Sequence, residues 1–186
     1  MIFKETPLKG AYLIYPEKRE DSRGFFARTW CRYEFEEHGL VMDIAQTSIS
    51  LSRRKGTLRG LHYQVHPAAE TKLIRCTRGA IYDVIVDLRA EAPSFKRWFG
   101  VELTAENYTM CYVPTGFAHG FQTLTEDTEV CYQVSQFYSQ EQLRGARHDD
   151  PAFRIEWPVE ITTISDRDRS WPDYPLSDPP QVERLL

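Results

Sequence analysis

Short apolar runs recur along the chain at close spacing, and Gly, Pro, Asp or charged residues separate them. The clearest run is Ala80–Leu88. Its alternate residues would lie on opposite sides of a sheet, with Tyr82, Val84, Val86 and Leu88 on one face and Ile81, Asp83, Ile85 and Asp87 on the other. Many short strands with turn signals at this spacing are typical of an antiparallel sandwich or barrel. The sequence therefore predicts an all-β fold.

The remaining elements follow from the same pattern. Further strands are predicted at Tyr12–Tyr15, Gly24–Trp30, Ala45–Leu51, Leu58–Gln64, Lys72–Cys76, Trp98–Leu103, Met110–Val113, Phe121–Leu124 and Glu129–Val134. Helix is sparse: Cys31–His38 reads as one short helix that ends at Gly39, and a weaker helical turn is predicted at Gln140–Arg144.

The chain has 186 residues, enough for one domain with a substantial core but few for two. Hydrophobic residues make up 41% and charged residues 27%, an ordinary globular balance. We therefore expect a single domain over residues 1–186. Its C-terminal part, rich in Pro, Asp and Trp, would wrap the sandwich irregularly from about residue 145 and end in a loose tail from about residue 177.

The charge pattern narrows the possible partners. The formal net charge is −4 and no basic block is visible, which argues against nucleic acid as the main partner. A local group of arginines could still hold a small anion such as a nucleotide diphosphate, because Arg suits bidentate phosphate contacts.

The compartment is predicted from two features. The sequence contains neither an apolar run of signal-peptide length at its N-terminus nor a stretch long enough to span a membrane. Cys31, Cys76, Cys111 and Cys131 form no C-x-x-C pair, and three of them lie in strand-like runs. We therefore expect reduced cysteines in a cytoplasmic protein that has no membrane partner.

Chemistry-bearing residues stand in several of the predicted strands. Arg59 and His62 share one strand, Lys72 begins the next, and His119 and Tyr132 lie in later ones. A lone strand histidine is more often structural than catalytic, and a strand-edge lysine usually extends to water. The nearness of Arg59 and Lys72 to His62 favours a site, since charged residues are rarely buried without a partner or a role. A base, an ammonium, a second imidazole and a phenol suit proton abstraction beside a carbonyl.

A metal site is the competing interpretation. The segment Pro114–His119 has the pattern P-x-G-x-x-H, which is moderately specific for the cupin β-barrels and often supplies a metal ligand there. The first cupin motif usually carries His-x-His with a later glutamate, whereas here Gln64 follows His62 and His66 lies in a proline loop. We therefore expect no metal.

Many motifs in a fixed order resemble the dTDP-4-dehydrorhamnose 3,5-epimerase family, known as RmlC. The resemblance runs from about Gly10 to Trp171 and rests on Asp21–Phe26, Leu58–Gln64, Lys72–Leu73, Arg78–Gly79, Asp83–Val84, Val86–Arg89, Ala105–Asn107, Val113–Phe121, Asp149–Pro151, Glu156–Pro158 and Ser165–Asp168. It implies a cupin-like jelly-roll β-sandwich, present as a homodimer that exchanges N-terminal strands. It also implies a metal-free, cofactor-free epimerase that acts on a nucleotide-linked 4-keto-6-deoxyhexose.

The resemblance also implies roles for individual residues. His62 matches the family's base and Asp168 the carboxylate that orients it, with Asp166 as the rival for that role. Lys72 would stabilise the enolate oxygen at C4, with Arg59 and His119 as neighbours. Tyr132 matches the acid that returns a proton from the opposite face.

The resemblance is less complete at the residues expected to bind the nucleotide. Arg23, supplied by the partner subunit, and Phe26 would line the nucleotide side, and Phe137 or Tyr138 would stack on the base. The chain departs from the family at Arg28, where a glutamate is usual, and at Gln46-Thr47-Ser48, where Gln-Asp-Asn is usual. Glu70 replaces a common glutamine, and Phe137 a usual tyrosine. Arg28, Gln46, Ser48 and Phe137 are therefore candidate substrate-binding positions that bear on specificity.

Three alternatives to the double epimerase remain open. The chain could invert a single centre, C3 or C5, on another nucleotide sugar such as a CDP-sugar. It could be a metal-dependent cupin enzyme that binds metal through His62 and His119. It could also bind a sugar nucleotide without catalysis, although His62, Lys72, Tyr132 and Asp168 argue against this.

Overall fold

The computed structural model describes residues 1–40 and 42–175 and shows two facing β-sheets. The first sheet contains, in spatial order, β1 (Ile2–Glu5), β2 (Tyr12–Tyr15), β10 (Met110–Val113), β7 (Lys72–Arg78), β12 (Thr128–Val134) and β5 (Gln46–Ser52). The second contains β13 (Leu143–Gly145), β6 (Thr57–Gln64), β11 (Phe117–Thr123), β8 (Ala80–Asp87) and β9 (Trp98–Thr104), with β14 (Thr163–Ile164) parallel to β6. The predicted all-β, jelly-roll class is confirmed.

The other elements lie outside the two sheets. The strands β3 (Arg19–Asp21) and β4 (Gly24–Phe26) form a separate antiparallel hairpin. Two short helices, α1 (Arg32–Glu37) and α2 (Asp166–Arg169), are present in the described part of the chain.

The core confirms the alternation predicted for β8. Ile81 and Ile85 pack between the two sheets, whereas Val84 and Val86 pack on the outer side of the second sheet. The C-terminal segment covers that outer side with residues such as Phe153. Strand β8 is therefore buried on both faces, which explains why its sequence is almost continuously apolar.

Most predicted strands are present, with shifted ends. Strand β11 begins four residues before the predicted Phe121–Leu124 segment, at Phe117, and β4 ends at Phe26, so the strand predicted through Trp30 is wrong beyond that point. The helix predicted to end at Gly39 is confirmed as α1. Gly39 has φ +69°, the left-handed conformation that glycine adopts without strain.

The helical turn predicted at Gln140–Arg144 is wrong in its second half. A turn is present, since the amides of Gln142 and Leu143 donate to the carbonyl of Ser139. Leu143 and Arg144 then continue as β13, because they pair with Gln64 and Tyr63 of β6. The partner strand lies far away in sequence, and local propensity could not anticipate it.

Two further expectations concern the C-terminal tail and the number of domains. The loose tail expected from about residue 177 lies outside the described residues. The single domain over residues 1–186 stays a prediction. No helix within residues 1–40 and 42–175 is long and apolar enough to cross a membrane.

Candidate active site

An open cavity of about 640 Å³ lies between the two sheets, a volume that suits a small organic ligand. The first sheet contributes residues from β5, β7 and β12, and the second contributes residues from β6 and β11. Of the predicted site residues, the cavity is lined by His62, Asp168, Tyr132, Lys72, Arg59, His119, Gln46, Ser48 and Tyr138. The structure thus brings nine predicted residues together from distant parts of the sequence.

His62 and Asp168 form one imidazole–carboxylate pair. His62 Nε2 lies 2.6 Å from Asp168 Oδ1, so the neutral ring donates its Nε2 proton to the carboxylate and keeps its lone pair on Nδ1. Strand β14 pairs with the beginning of β6 and delivers α2, which carries Asp168, to the same wall. Asp166, the rival in the sequence, is exposed on α2.

Asp168 is held in its ionised form. Burial alone would raise the pKa of this carboxyl, but His62, the Gly60 amide and the Ser165 hydroxyl, which donate hydrogen bonds to it, outweigh burial and lower the pKa. An ionised carboxylate in this position can fix the orientation of an imidazole and stabilise it when it is protonated.

A second imidazole–carboxylate pair lies beside the first. His119 stands opposite His62 across the β6–β11 pairing, and its Nε2 lies 2.7 Å from Oδ1 of Asp83. Asp83 is 1% exposed, on the face of β8 that points between the sheets. The sequence did not identify Asp83 as a site residue, although a carboxylate on an apolar strand face was a visible signal.

Lys72 lies on the opposite sheet at the start of β7. Its Nζ donates to the carbonyl oxygen of His62 at 3.1 Å and lies 3.2 Å from Oε1 of Glu70. Both Lys72 and Glu70 have side chains that are 11% exposed. The lysine predicted at the strand edge is therefore mostly buried and paired, which contradicts the view that it extends to water.

Tyr132 projects from β12 of the first sheet and faces the histidines across the cavity. Its cross-strand partners are Ser48 on β5 and Ile74 on β7. Arg59 lies on the other sheet, where its guanidinium donates to Ser52 Oγ at 3.1 Å and to the Leu51 carbonyl at 3.2 Å.

Four predicted substrate-binding residues do not line the cavity of their own chain: Arg23, Phe26, Arg28 and Phe137. Arg23 pairs with Asp21 on the β3–β4 hairpin, and Arg28 pairs with Glu34. Phe26 is 67% exposed and Phe137 66% exposed. For Arg23 this agrees with the expectation that the partner subunit supplies it, and the roles of all four stay predictions.

Two charged cavity residues, Glu70 and Arg167, were also not identified as site residues from the sequence. Glu70 was noted only as a departure, and its contact with Lys72 follows from a loop shape that the sequence does not reveal. Arg167 lies next to Asp168 on α2, a single helical turn that has no periodic pattern to predict it.

The histidines are not arranged to bind a metal ion together. Each uses Nε2 to contact its own carboxylate, His62 with Asp168 and His119 with Asp83. Among the described residues, no group of three or more His, Cys, Asp or Glu side chains could hold a metal ion. The geometry favours two hydrogen-bonded imidazoles that can bind and move protons.

Comparison with known proteins gives a consistent result. The family model described as dTDP-4-dehydrorhamnose 3,5-epimerase matches residues 5–175. A dTDP-4-dehydrorhamnose 3,5-epimerase of Sinorhizobium fredii is 43% identical over 173 residues, which cover 92% of this chain and 89% of that protein.

Solved structures agree with the sequence comparison. The dTDP-4-dehydrorhamnose 3,5-epimerase of Bacillus anthracis, crystallised with TDP and PPi, superposes with a TM-score of 0.89 at 43% identity, over 93% of this chain and 99% of that one. A 3'-monoepimerase of Streptomyces bikiniensis, in complex with dTDP-quinovose, gives a TM-score of 0.83 at 33% identity, over 90% of this chain and 85% of that one.

Proposed function

This chain belongs to the dTDP-4-dehydrorhamnose 3,5-epimerase family, and we propose that its cavity binds a nucleotide-linked 4-keto-6-deoxyhexose and inverts C3, C5 or both. It is therefore an isomerase. The relatives act on a dTDP sugar by name, which makes dTDP-4-dehydro-6-deoxyglucose the first substrate to test.

One observation carries the proposed mechanism: the candidate base and the candidate acid stand on opposite walls of one cavity. His62 lies on β6 of the second sheet and Tyr132 on β12 of the first, and both line the space between. Inversion requires that a proton leave one face of a carbon and that another proton arrive on the opposite face. A ring bound between the two sheets meets that requirement.

The reaction follows from ordinary carbonyl chemistry. The C4 ketone acidifies the hydrogens on C3 and C5, and Nδ1 of His62 takes one of them as the C–H electrons move into an enolate. Asp168 stabilises the resulting imidazolium. The phenol of Tyr132 gives its proton to the same carbon from the other face, and the ketone re-forms. Both side chains then regain their starting protonation states by exchange with solvent.

Positive charge near the enolate oxygen lowers the barrier. Lys72 faces the cavity from the first sheet, and Arg59 and His119 face it from the second. Donors that are already in place where charge develops typically contribute about 3–4 kcal/mol each to transition-state stabilisation. We assign this role to Lys72 first, because its ammonium lines the cavity and lies 3.1 Å from the carbonyl oxygen of His62, the candidate base.

We also propose a homodimer in which N-terminal strands are exchanged and the β3–β4 hairpin of one subunit reaches the nucleotide side of its partner's cavity. On this hairpin Phe26 is 67% exposed, and the side chain of Arg23 is 88% exposed. An apolar ring and a guanidinium exposed together are suited to an interface that also contacts phosphate. Light scattering should give twice the chain mass, and a monomer that is fully active would contradict this arrangement.

A cytoplasmic location is proposed on the state of the cysteines. Cys31, Cys76, Cys111 and Cys131 are all free thiols, as expected in a reducing compartment. Cell fractionation tests this directly, and recovery of the protein outside the cytoplasm would contradict it.

Proton NMR in D2O with dTDP-4-dehydro-6-deoxyglucose tests the function. Loss of both the C3 and C5 signals would identify a double epimerase, and loss of one would identify a single-centre enzyme of the kind known from Streptomyces bikiniensis. The same measurement with His62→Asn should show no exchange while the nucleotide still binds. Substantial exchange by that variant would refute the assigned base, and no exchange by the unaltered protein would refute this substrate.

A further inference from the structure

Glu70 connects Lys72, the candidate residue for stabilising the enolate oxygen, to a mostly buried hydrogen-bond network. Its Oε1 lies 3.2 Å from Lys72 Nζ, and its Oε2 accepts a hydrogen bond from Gln64 Nε2 at 3.0 Å. Gln64 itself is 5% exposed. One carboxylate therefore contacts two different donors at the edge of the cavity, away from bulk solvent.

The orientation of Gln64 favours a hydrogen-bond acceptor at position 70. Gln64 Oε1 accepts from the Ser139 amide at 2.6 Å, so its NH2 group points the other way, where it also meets the carbonyls of Ala68 and Phe137. A glutamine at position 70 has a single acceptor oxygen and would place its own NH2 against one of the two donors. A glutamate satisfies both.

Lys72 depends on this carboxylate for its charge partner. Of the three N–H groups of its ammonium, one donates to the His62 carbonyl, which is a neutral acceptor. Glu70 is the acidic side chain in contact with it. Removing one member of a mostly buried ion pair leaves the other charge uncompensated, and the ammonium would then move toward water or another anion.

We propose that Glu70 is a positioning residue that holds the Lys72 ammonium at the enolate oxygen and couples it, through Gln64, to the segment that carries Tyr138. This inference rests on the proposed function, because the position of Lys72 matters only if negative charge develops in the cavity. Tyr138 lines the cavity and its amide donates to Gln46 Oε1 at 2.8 Å, so the network extends to β5 at one edge of the first sheet.

The variant Glu70→Gln tests the proposal by removing the charge with little change of shape. We expect kcat to fall by roughly 10- to 100-fold with a smaller change in KM, because a small displacement of an electrophile is costly in the transition state. Glu102→Gln is the matched control, since Glu102 is an exposed residue of β9 that does not line the cavity. Its kcat should stay within about twofold of the unaltered protein.

A double-mutant cycle separates positioning from a general effect on folding. In a Lys72→Ala background the Glu70→Gln change should have less than about a twofold further effect on the exchange rate, because residues acting through one contact are not additive. Equal losses in both backgrounds, or a Glu70→Gln variant as active as the control, would overturn the proposal. An inactive unaltered protein would instead contradict the proposed function, and this inference with it.

Discussion

At the scale of single residues, two carboxylates on opposite walls of the cavity have different proposed roles. Asp168 is buried beside His62 on one wall, and Glu70 is mostly buried beside Lys72 on the other. In the proposed mechanism, the first carboxylate orients a base and the second a cation. Environment, not residue type, therefore separates their roles.

Changing Asp168 to Asn should lower kcat by about 10²- to 10⁴-fold while the protein still folds, because an amide can present its NH2 group to Nε2 and favour the wrong imidazole tautomer. Steady-state kinetics with the nucleotide sugar measures this. Asp166→Asn, two residues away on the exposed side of α2, is the control and should keep near-normal activity. Equal losses in the two variants would show that α2, and not the His62 contact, is what matters.

Changing Tyr132 to Phe should slow inversion more than proton removal, since only the second half of the reaction needs the phenol. Deuterium incorporation and product formation, followed in the same NMR sample, give the two rates. A variant in which both rates fall by the same factor would indicate that Tyr132 contributes to binding or to the first proton transfer instead.

At the scale of elements, a close backbone contact positions His62, the candidate base. Gly60 on β6 has φ +115°, and a Cβ there would lie 2.6 Å from the Cα of Gly120 on β11. Only two glycines allow β6 and β11 to approach this closely, next to the position where His62 and His119 stand opposite each other. The Gly60 amide also donates to Asp168 at 3.1 Å.

Changing Gly60 to Ala should therefore destabilise the protein by at least about 1–3 kcal/mol, since it adds overpacking to an unfavourable φ. Gly39→Ala is the control, because Gly39 also has a positive φ of +69° but no atom within 4 Å of the added Cβ. The difference between the free energies of unfolding of the two variants in urea separates the cost of crowding from the cost of the positive φ. Equal losses of stability would mean that the strands can separate at no cost.

Sequence patterns predicted an element well where the pattern lay within that element or directly beside it. The alternation in β8 and the glycine after α1 are local features, and both are confirmed. Strand β13 and helix α2 are missed because they are three or four residues long and owe their shape to β6 and to the Ser165 cap. The site was predictable in its main residues, whereas Asp83 and Glu70 needed the distances between loops and strands.

At the scale of the whole molecule, one buried ion pair links the two sheets. Asp87 at the end of β8 is 0% exposed and accepts from Arg89 Nη2 at 2.7 Å and from Ser94 Oγ at 2.6 Å. Arg89 also donates to the Lys9 carbonyl between β1 and β2 at 2.8 Å. Burial would raise the pKa of Asp87, but the hydrogen bonds from Arg89 and Ser94 outweigh it and lower the pKa.

Because the folded pKa lies below the unfolded value of 3.8, the stabilisation by ionised Asp87 is complete above that value and is lost as the pH falls through the folded pKa. Asp87→Asn should cost about 1.5–3 kcal/mol at neutral pH, and the difference from the unaltered protein should shrink in acid. Urea unfolding from neutral to strongly acidic pH measures it. A difference that is constant over this range would show that the charge of Asp87 contributes nothing.

The placement of base and acid on separate sheets has a consequence for how such enzymes diversify. If His62 and Tyr132 are the base and the acid, a hexose ring that turned about its bond to the nucleotide would present first one carbon and then another to them, and a single pair would serve two stereocentres. Specificity for one centre or two then depends on how freely the ring rotates. Bulk added at Ser48 or Leu143 on the cavity rim could change the product without altering His62 or Tyr132. On the proposed mechanism, stereochemical outcome and chemical competence would depend on different residues and could evolve independently.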